Sequence, residues 1–530
     1  MGEPYNVVVV GGGTSGWMTA AYLSKALDRD VSLTVVESKS VGRIGVGEAT
    51  FSTIRLFFEF LGLAETDWMP EVQATYKLAI KFVDWNAERR HFYHPFQRYE
   101  NVRGHSHAEW WLKLLADEHP FDYSCFVVPR LCDAKRSPRF HDGRTFCDIF
   151  EAQSQLESAR QARMLQHLQL QYPYAYHFDA QLMADYLSVY ARRRGVTRVV
   201  DDVVEVRRRE NGFVDAIVTR EHGALHGDLF VDCTGFRGLL INQALGERFV
   251  SFAPSLLCDR AVALQIPSDA AVDGIEPYTT ATALSSGWAW NIPLMSRIGT
   301  GYVYSSAFTT PEQAEEEFRQ HLGPRANGCP PNHIKMRVGR NEGSWVHNCV
   351  AIGLSSGFVE PLESTGIFFI QHGIEELANH FPRRTVDPQS IAAYNRAVAR
   401  CIDGVREFLA MHYWASTRDD TPFWQATKRD IVVDGDALER RQCWEARLPT
   451  PRTINPHFHG FEAYSYSVML LGLGRRPAAH LPVLDHMDDG PALASLQAMR
   501  RRADGLVRTL PSQYEYLKLR GAASGSAALV

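Results

Sequence analysis

The sequence contains no C-x-x-C pair, and its nine cysteines are odd in number and scattered from Cys125 to Cys443. That excludes a disulfide framework or a cysteine-built zinc site as its organising principle. No apolar run approaches the 18 residues that a membrane span needs. Neither sign of charge is in excess: 56 basic against 61 acidic residues give a net charge of −5, which is no electrostatic footprint for nucleic acid or an anionic membrane. No internal repeat is apparent, and the chain runs into Val7–Val10 without a basic leader or a cleavage site. These absences lead to the expectation of a cytoplasmic protein whose partners are neither nucleic acid nor membrane.

What is present is an ordinary globular composition, 45% hydrophobic and 22% charged, over 530 residues. That length holds two to four units at roughly 150 residues each, or one large layered fold. The most readable segment is the first. An apolar run, Val7–Val10, meets Gly11-Gly12-Gly13-Thr14-Ser15-Gly16; a helical stretch follows from Trp17 to Leu27, then the β-branched run Val31–Val36. This is strand, turn, helix, strand, a βαβ unit. Gly11, Gly13 and Gly16 let backbone amides approach a pyrophosphate, with Thr14 and Ser15 at the helix start. Glu37, 21 residues beyond Gly16, is placed to accept from a ribose hydroxyl. FAD and NAD share this fingerprint. Two later glycine-ended runs, Leu229–Gly235 and Cys349–Gly353, favour FAD, because a distant segment can then reach the flavin end. A single fingerprint predicts no separate nicotinamide site.

Thr279–Ile292 and Gly299–Tyr304 have the composition of an antiparallel sheet. Residues 151–171 carry six glutamines without Gly or Pro and read as an exposed helix or a mobile insertion. Pro388–Tyr413 is helical in pattern. The expected organisation is an FAD-binding core over 1–380 with an antiparallel sheet interleaved around 250–340. A mostly helical substrate-covering region over 381–520 and a flexible tail over 521–530 complete it.

The run Trp288-Ala289-Trp290-Asn291-Ile292-Pro293 is a W-x-W-x-I-P signature, and together with Gly11–Gly16 it resembles the flavin-dependent tryptophan halogenase family. The match continues through Gly45–Thr50, Tyr76-Lys77, His91–Phe96, Tyr176–Ala180, Phe230–Leu240, Gly299–Ser306 and Val359–Ile367, and weakens after about residue 445. The resemblance implies an α/β fold like that of FAD-binding monooxygenases, Rossmann-type with mixed sheets. It implies an enzyme in which FADH2 from a separate flavin reductase, O2, and chloride or bromide yield hypohalous acid that crosses a tunnel to an aromatic ring. By the same resemblance Lys77 delivers the halogen, Glu363 takes the ring proton, and Thr365 and Gly366 hold the halide. Ala49 and Ile367 lie at the flavin, and His94, Phe96 and Phe461 contact the substrate.

Bottom-up, an ammonium donor suits polarisation of a leaving hydroxide, and a carboxylate suits a cationic ring. A lone lysine is more often a solvated charge, and a glutamate before a helix more often a helix-terminal charge. Lys81, four residues beyond Lys77, shares its face in helix and strand alike, so periodicity cannot separate the two. His91 with His94, and His457 with His459, are spaced as metal pairs, but no Asp, Glu or Cys pattern completes a set, and no metal is expected.

Enzymes of the family that act on free tryptophan carry a glutamate upstream of a Gly-Leu-Gly. Counting back from Gly472-Leu473-Gly474 places Pro456 there. A buried unpaired ammonium is costly, and the 151–171 segment has no counterpart in those enzymes, so together they lead to a larger substrate, first of all a tryptophan within a peptide, as in the lanthipeptide branch. Another aromatic scaffold, phenolic or fused-ring, or free tryptophan is the alternative. An oxygen-inserting flavin monooxygenase and a non-catalytic flavoprotein are the competing classes. A homodimer is left open.

Overall fold

The computed structural model describes residues 4–27, 30–40, 48–88, 90–146, 172–382, 385–433 and 435–527, with side chains to residue 521. The glutamine-rich 151–171 segment and Gly45–Gly47 lie outside the described residues. Among the described residues, no helix is long and apolar enough to cross a membrane.

The opening βαβ unit forms as read: strand Tyr5–Val10, helix Thr14–Ala26, strand Val31–Glu37. These strands join a six-stranded sheet in the order Thr197–Val200, Val31–Glu37, Tyr5–Val10, Leu229–Asp232, Cys349–Ala351, Trp345–Val346. All its pairings are parallel except the last. Val7–Val10, Leu229–Val231 and Cys349–Ala351 are buried on both faces, the reason these strands are continuous apolar runs and not alternating ones. Each buried aliphatic side chain contributes about 1.5–3 kcal/mol of transfer free energy. Both glycine-ended runs are therefore strands of the sheet that carries the opening βαβ unit.

A seven-stranded sheet holds the Thr- and Trp-rich segments. Tyr278–Leu284, Gly287–Pro293 and Arg297–Tyr304 are successive antiparallel neighbours in it, and Ala79–Val83 and His91–Pro95 extend its edge. A small sheet of Glu48–Ala49, Ala175–Phe178 and Thr75–Lys77 lies beside it. The chain changes sheet at Leu78, whose N–H donates to the Pro277 carbonyl at 2.7 Å. Thr75–Lys77 thus pairs with Ala175–Phe178, while Ala79–Val83 pairs with Tyr278–Leu284 and His91–Pro95. Helices Gly366–Asn379, Pro388–Ala415 and Ala463–Gly472 close over this junction, and the last helix is Gln513–Ala527.

Candidate active site

Two consecutive elements bring the expected site residues together. Pro361–Glu363 is a single tight turn. Helix Gly366–Asn379 follows it, with Ser364 and Thr365 between. Ser364 sits at φ 61° and ψ 36°, the left-handed region that costs a non-glycine residue roughly 1–3 kcal/mol. That backbone turns Glu363 and Ser364 toward Lys77. Lys77 is 0% exposed and donates from Nζ to the Ser364 Oγ at 2.7 Å and to the Thr50 carbonyl at 3.1 Å. Burial pushes its ammonium down to about 7, against the opposing pull of the Glu363 carboxylate. Lys81, on the next strand, extends over the rings of Tyr93 and Tyr278 at 5.3 and 5.5 Å. The strand change at Leu78 separates the two lysines.

Glu363 is fully buried. His94 Nδ1 lies 2.9 Å from Oε1 and 3.1 Å from Oε2, and His412 Nε2 lies 2.8 Å from Oε1. Burial alone raises a carboxyl, but His94 and His412 outweigh it and bring Glu363 down to about 2. The W-x-W-x-I-P strand anchors this turn. Trp288 Nε1–H donates to Glu360 Oε2 at 3.0 Å, the Tyr413 hydroxyl donates to the same oxygen, and burial raises the Glu360 carboxyl to about 7.

Thr365 and Gly366 open the helix. The Thr365 hydroxyl is buried without a hydrogen-bond partner among the described residues, and the space beside the Gly366 Cα is open. An unpaired buried donor at a helix N-terminus fits a small anion. Ile367 is buried one residue further, and Ala49 lies buried on the short strand paired with Ala175–Phe178.

The ring contacts form an aromatic cage. The Lys77 Nζ is 5.2 Å from the Phe96 ring centroid. Phe461 stacks on Phe408 at 3.9 Å, and Phe51 meets Phe96 and Phe461 edge-on at 5.8 and 5.4 Å. His94 is 6.5 Å from Phe461. Arg98, two residues past Phe96, pairs with Glu462, the residue after Phe461: Nε to Oε2 at 2.8 Å and Nη2 to Oε1 at 2.5 Å.

The glycine turn fits a dinucleotide. Gly11 has φ +121°, and a Cβ there would meet the Cys233 carbonyl oxygen at 2.2 Å, whereas Gly13, at the helix N-terminus, borders open space. The Thr14 hydroxyl donates to the Ala180 carbonyl at 3.2 Å, and a Cβ on Gly353 would meet Ser15 Cβ at 2.9 Å, so the late strand does return to the cofactor turn. A Cβ on Gly16 would meet the Gly11 carbonyl at 1.8 Å. Glu37 accepts from Trp17 Nε1–H at 3.2 Å and pairs with Arg198.

Sequence reasoning missed Thr50, Ser364, Phe51, Phe408, His412 and the relay beneath Lys77. There the Thr75 hydroxyl donates to the Pro293 carbonyl at 2.8 Å and so accepts from His177 Nδ1–H at 3.1 Å; His177 Nε2 in turn accepts from Thr279 at 2.9 Å. Burial, then the Lys77 charge, holds this imidazole well below its usual range. The residues from Asn455 to Phe461, around Pro456, contain no acid, and Glu462 follows directly. Of the histidines weighed as metal ligands, His94 faces Glu363, and His459 Nε2 lies 2.8 Å from the Tyr466 hydroxyl.

A family model described as tryptophan halogenase matches residues 6–172 and 151–489. The chain is 52% identical to the tryptophan 6-halogenase SttH of Streptomyces toxytricini over 98% of this chain and 99% of that protein. The SttH crystal structure superposes with a TM-score of 0.90, covering 97% of this chain and 100% of that one. The 7-chloro-L-tryptophan 6-halogenase KtzR of Kutzneria sp. (strain 744) is 52% identical over 97% of this chain and 99% of its own length. The lanthipeptide tryptophan 5-halogenase MibH is 29% identical with a TM-score of 0.82, over 100% of this chain and 96% of that one. With the glycine turn, the buried lysine and the carboxylate in place, the chain belongs to the tryptophan halogenase family and is a flavin-dependent halogenase.

Proposed function

We propose that this enzyme halogenates free L-tryptophan, or its 7-chloro derivative, at ring carbon 6. The observation that carries the reading is the buried Lys77–Ser364 hydrogen bond, which sets an amine between the Thr365–Gly366 helix start and the aromatic cage. Gly11, Gly13 and Gly16 would hold the FAD pyrophosphate, with Ile367 and Ala49 toward the ring system. When bound as FADH2, the cofactor supplies the electrons with which O2 oxidises chloride or bromide to hypohalous acid. A separate flavin reductase supplies the reduced form.

Lys77 hydrogen-bonds the hypohalous oxygen and makes the halogen the electrophilic end. Ring π electrons form the carbon–halogen bond while the oxygen–halogen bond breaks. Glu363 stabilises the ring cation and takes the proton from that carbon. That proton and the released hydroxide make water, so ArH + HOX gives ArX + H2O.

Free tryptophan is favoured over a peptide because relatives sharing about half of their residues with this chain are named for tryptophan or 7-chloro-L-tryptophan. The lanthipeptide enzyme stands at 29%. The Arg98–Glu462 pair beside Phe96 and Phe461 offers a cation for an α-carboxylate and an anion for an α-ammonium. The expectation of a peptide rested on Pro456 and on the 151–171 segment; Glu462, next to Phe461, offers an anion that the count to Pro456 did not find.

The test supplies the enzyme with a flavin reductase, NADH, FAD and chloride or bromide. L-tryptophan, 7-chlorotryptophan, a linear tryptophan-containing peptide and a phenolic scaffold compete as substrates, and products are identified by mass spectrometry and NMR. 6-Halotryptophan as the dominant product is expected. Preferential halogenation of the peptide, or a hydroxylated product, would overturn the reading.

A further inference from the structure

His412 lies near the end of helix Pro388–Ala415, and both its ring nitrogens are committed. Nδ1 is 2.8 Å from the Phe408 carbonyl oxygen, an atom that only accepts, so Nδ1 carries hydrogen. Nε2 is 2.8 Å from Glu363 Oε1. With Nε2 bare and Glu363 ionised, two lone pairs would face each other at that distance in a site closed to water. A proton therefore lies between them, and either ring or carboxyl owns it.

His94 Nδ1 reaches both oxygens, Oε1 at 2.9 Å and Oε2 at 3.1 Å. A carboxylate, with two acceptor oxygens and no hydrogen of its own, takes these contacts together with that of His412, so the proton is assigned to the ring. The rings of Phe408 and Phe82, 4.9 and 5.5 Å from His412, offer it π faces and edges but no competing acceptor. The titratable groups facing Glu363 are His94 from strand His91–Pro95, His412, Lys77 from strand Thr75–Lys77, and Tyr464 from helix Ala463–Gly472.

We propose that His412 is a buried imidazolium and a positioning residue: it occupies Oε1 of Glu363 and turns the carboxylate so that Oε2 receives the ring proton. In that step the C–H bond at the halogenated carbon breaks, its electron pair returns to the ring, and the proton forms an O–H bond at Oε2. His412 keeps both of its hydrogens throughout. The proposal rests on Glu363 acting as the base in the function proposed above.

The test is 15N NMR of histidine-labelled, cofactor-free protein at neutral pH, with His412 assigned from the spectrum of His412→Gln. The expected wild-type signature is two protonated ring nitrogens at His412, changing to one protonated and one bare nitrogen in Glu363→Gln. A bare nitrogen in the wild type would overturn the proposal. This readout needs no turnover, so it stands or falls separately from the choice of substrate. In turnover, His412→Phe should lower kcat about ten-fold, the scale of one lost charged hydrogen bond, with KM for tryptophan held within about two-fold. It should also expose a primary isotope effect on ring-deuterated tryptophan. Wild-type kcat without an isotope effect would overturn the positioning role. His412→Gln, which keeps a neutral donor toward Oε1, should recover part of the lost rate.

Discussion

The Lys77 amine and the Ser364 hydroxyl meet at 2.7 Å across 287 residues of sequence. That hydrogen bond ties the strand Thr75–Lys77 to the turn that presents Glu363 on one side of Ser364 and the Thr365–Gly366 helix start on the other. The roles proposed for Lys77, Glu363 and the Thr365–Gly366 helix start therefore meet at one buried junction.

Glu363→Gln keeps the size of the side chain but removes the charge proposed to stabilise the ring cation and accept its proton. Halogenation should fall roughly 10²-fold or more, the scale of a lost positioned base. Steady-state kinetics should place the loss in kcat, with KM for tryptophan little changed.

Burying Lys77 opposes folding wherever the unfolded chain would hold its proton and the folded chain would not. The folded ammonium titrates near 7 against an ordinary 10.5, so the unfolded state binds more protons between those values and stability rises with pH across that window. Lys77→Met removes this dependence. It should stabilise the protein most below pH 7, on the order of a few kcal/mol for an uncompensated buried charge, with the gain shrinking toward pH 10.5. Urea unfolding of both proteins at pH 6 and pH 9 measures the difference.

The cofactor end of this fold was legible because its signal is local: Gly11, Gly13 and Gly16 act within one turn, and the apolar runs that became parallel strands are buried on both faces. Lys77 was legible only through resemblance, because the strand change at Leu78 that separates it from Lys81 depends on a hydrogen bond to Pro277, about 200 residues away. His412 and Phe408 carry no sequence signal. They lie in a helix whose pattern reads as core, and only its docking brings them to Glu363 and Phe461. Gap-free counting to Pro456 assumes that a loop preserves register, and the nearest following acid in the chain is Glu462, six residues later.

On the proposed function, Arg98 and Glu462 divide the amino-acid end of the substrate between them. Arg98→Ala should raise KM for L-tryptophan about ten-fold, the scale of one charge-assisted contact, while leaving tryptamine, which lacks the carboxylate, near its wild-type value. Glu462→Ala should weaken both. Initial-rate kinetics with the two substrates separates these outcomes from a general loss of folding.

If Lys77 activates hypohalous acid at the ring as proposed, removing its amine should separate oxidant formation from halogenation, and Lys77→Ala isolates that step. With reductase, FAD, halide and L-tryptophan supplied, flavin reoxidation and halogenated product are followed in the same reaction. Reoxidation at close to the wild-type rate with product abolished is expected. Near-normal product from Lys77→Ala would contradict it and leave Lys77 a structural charge.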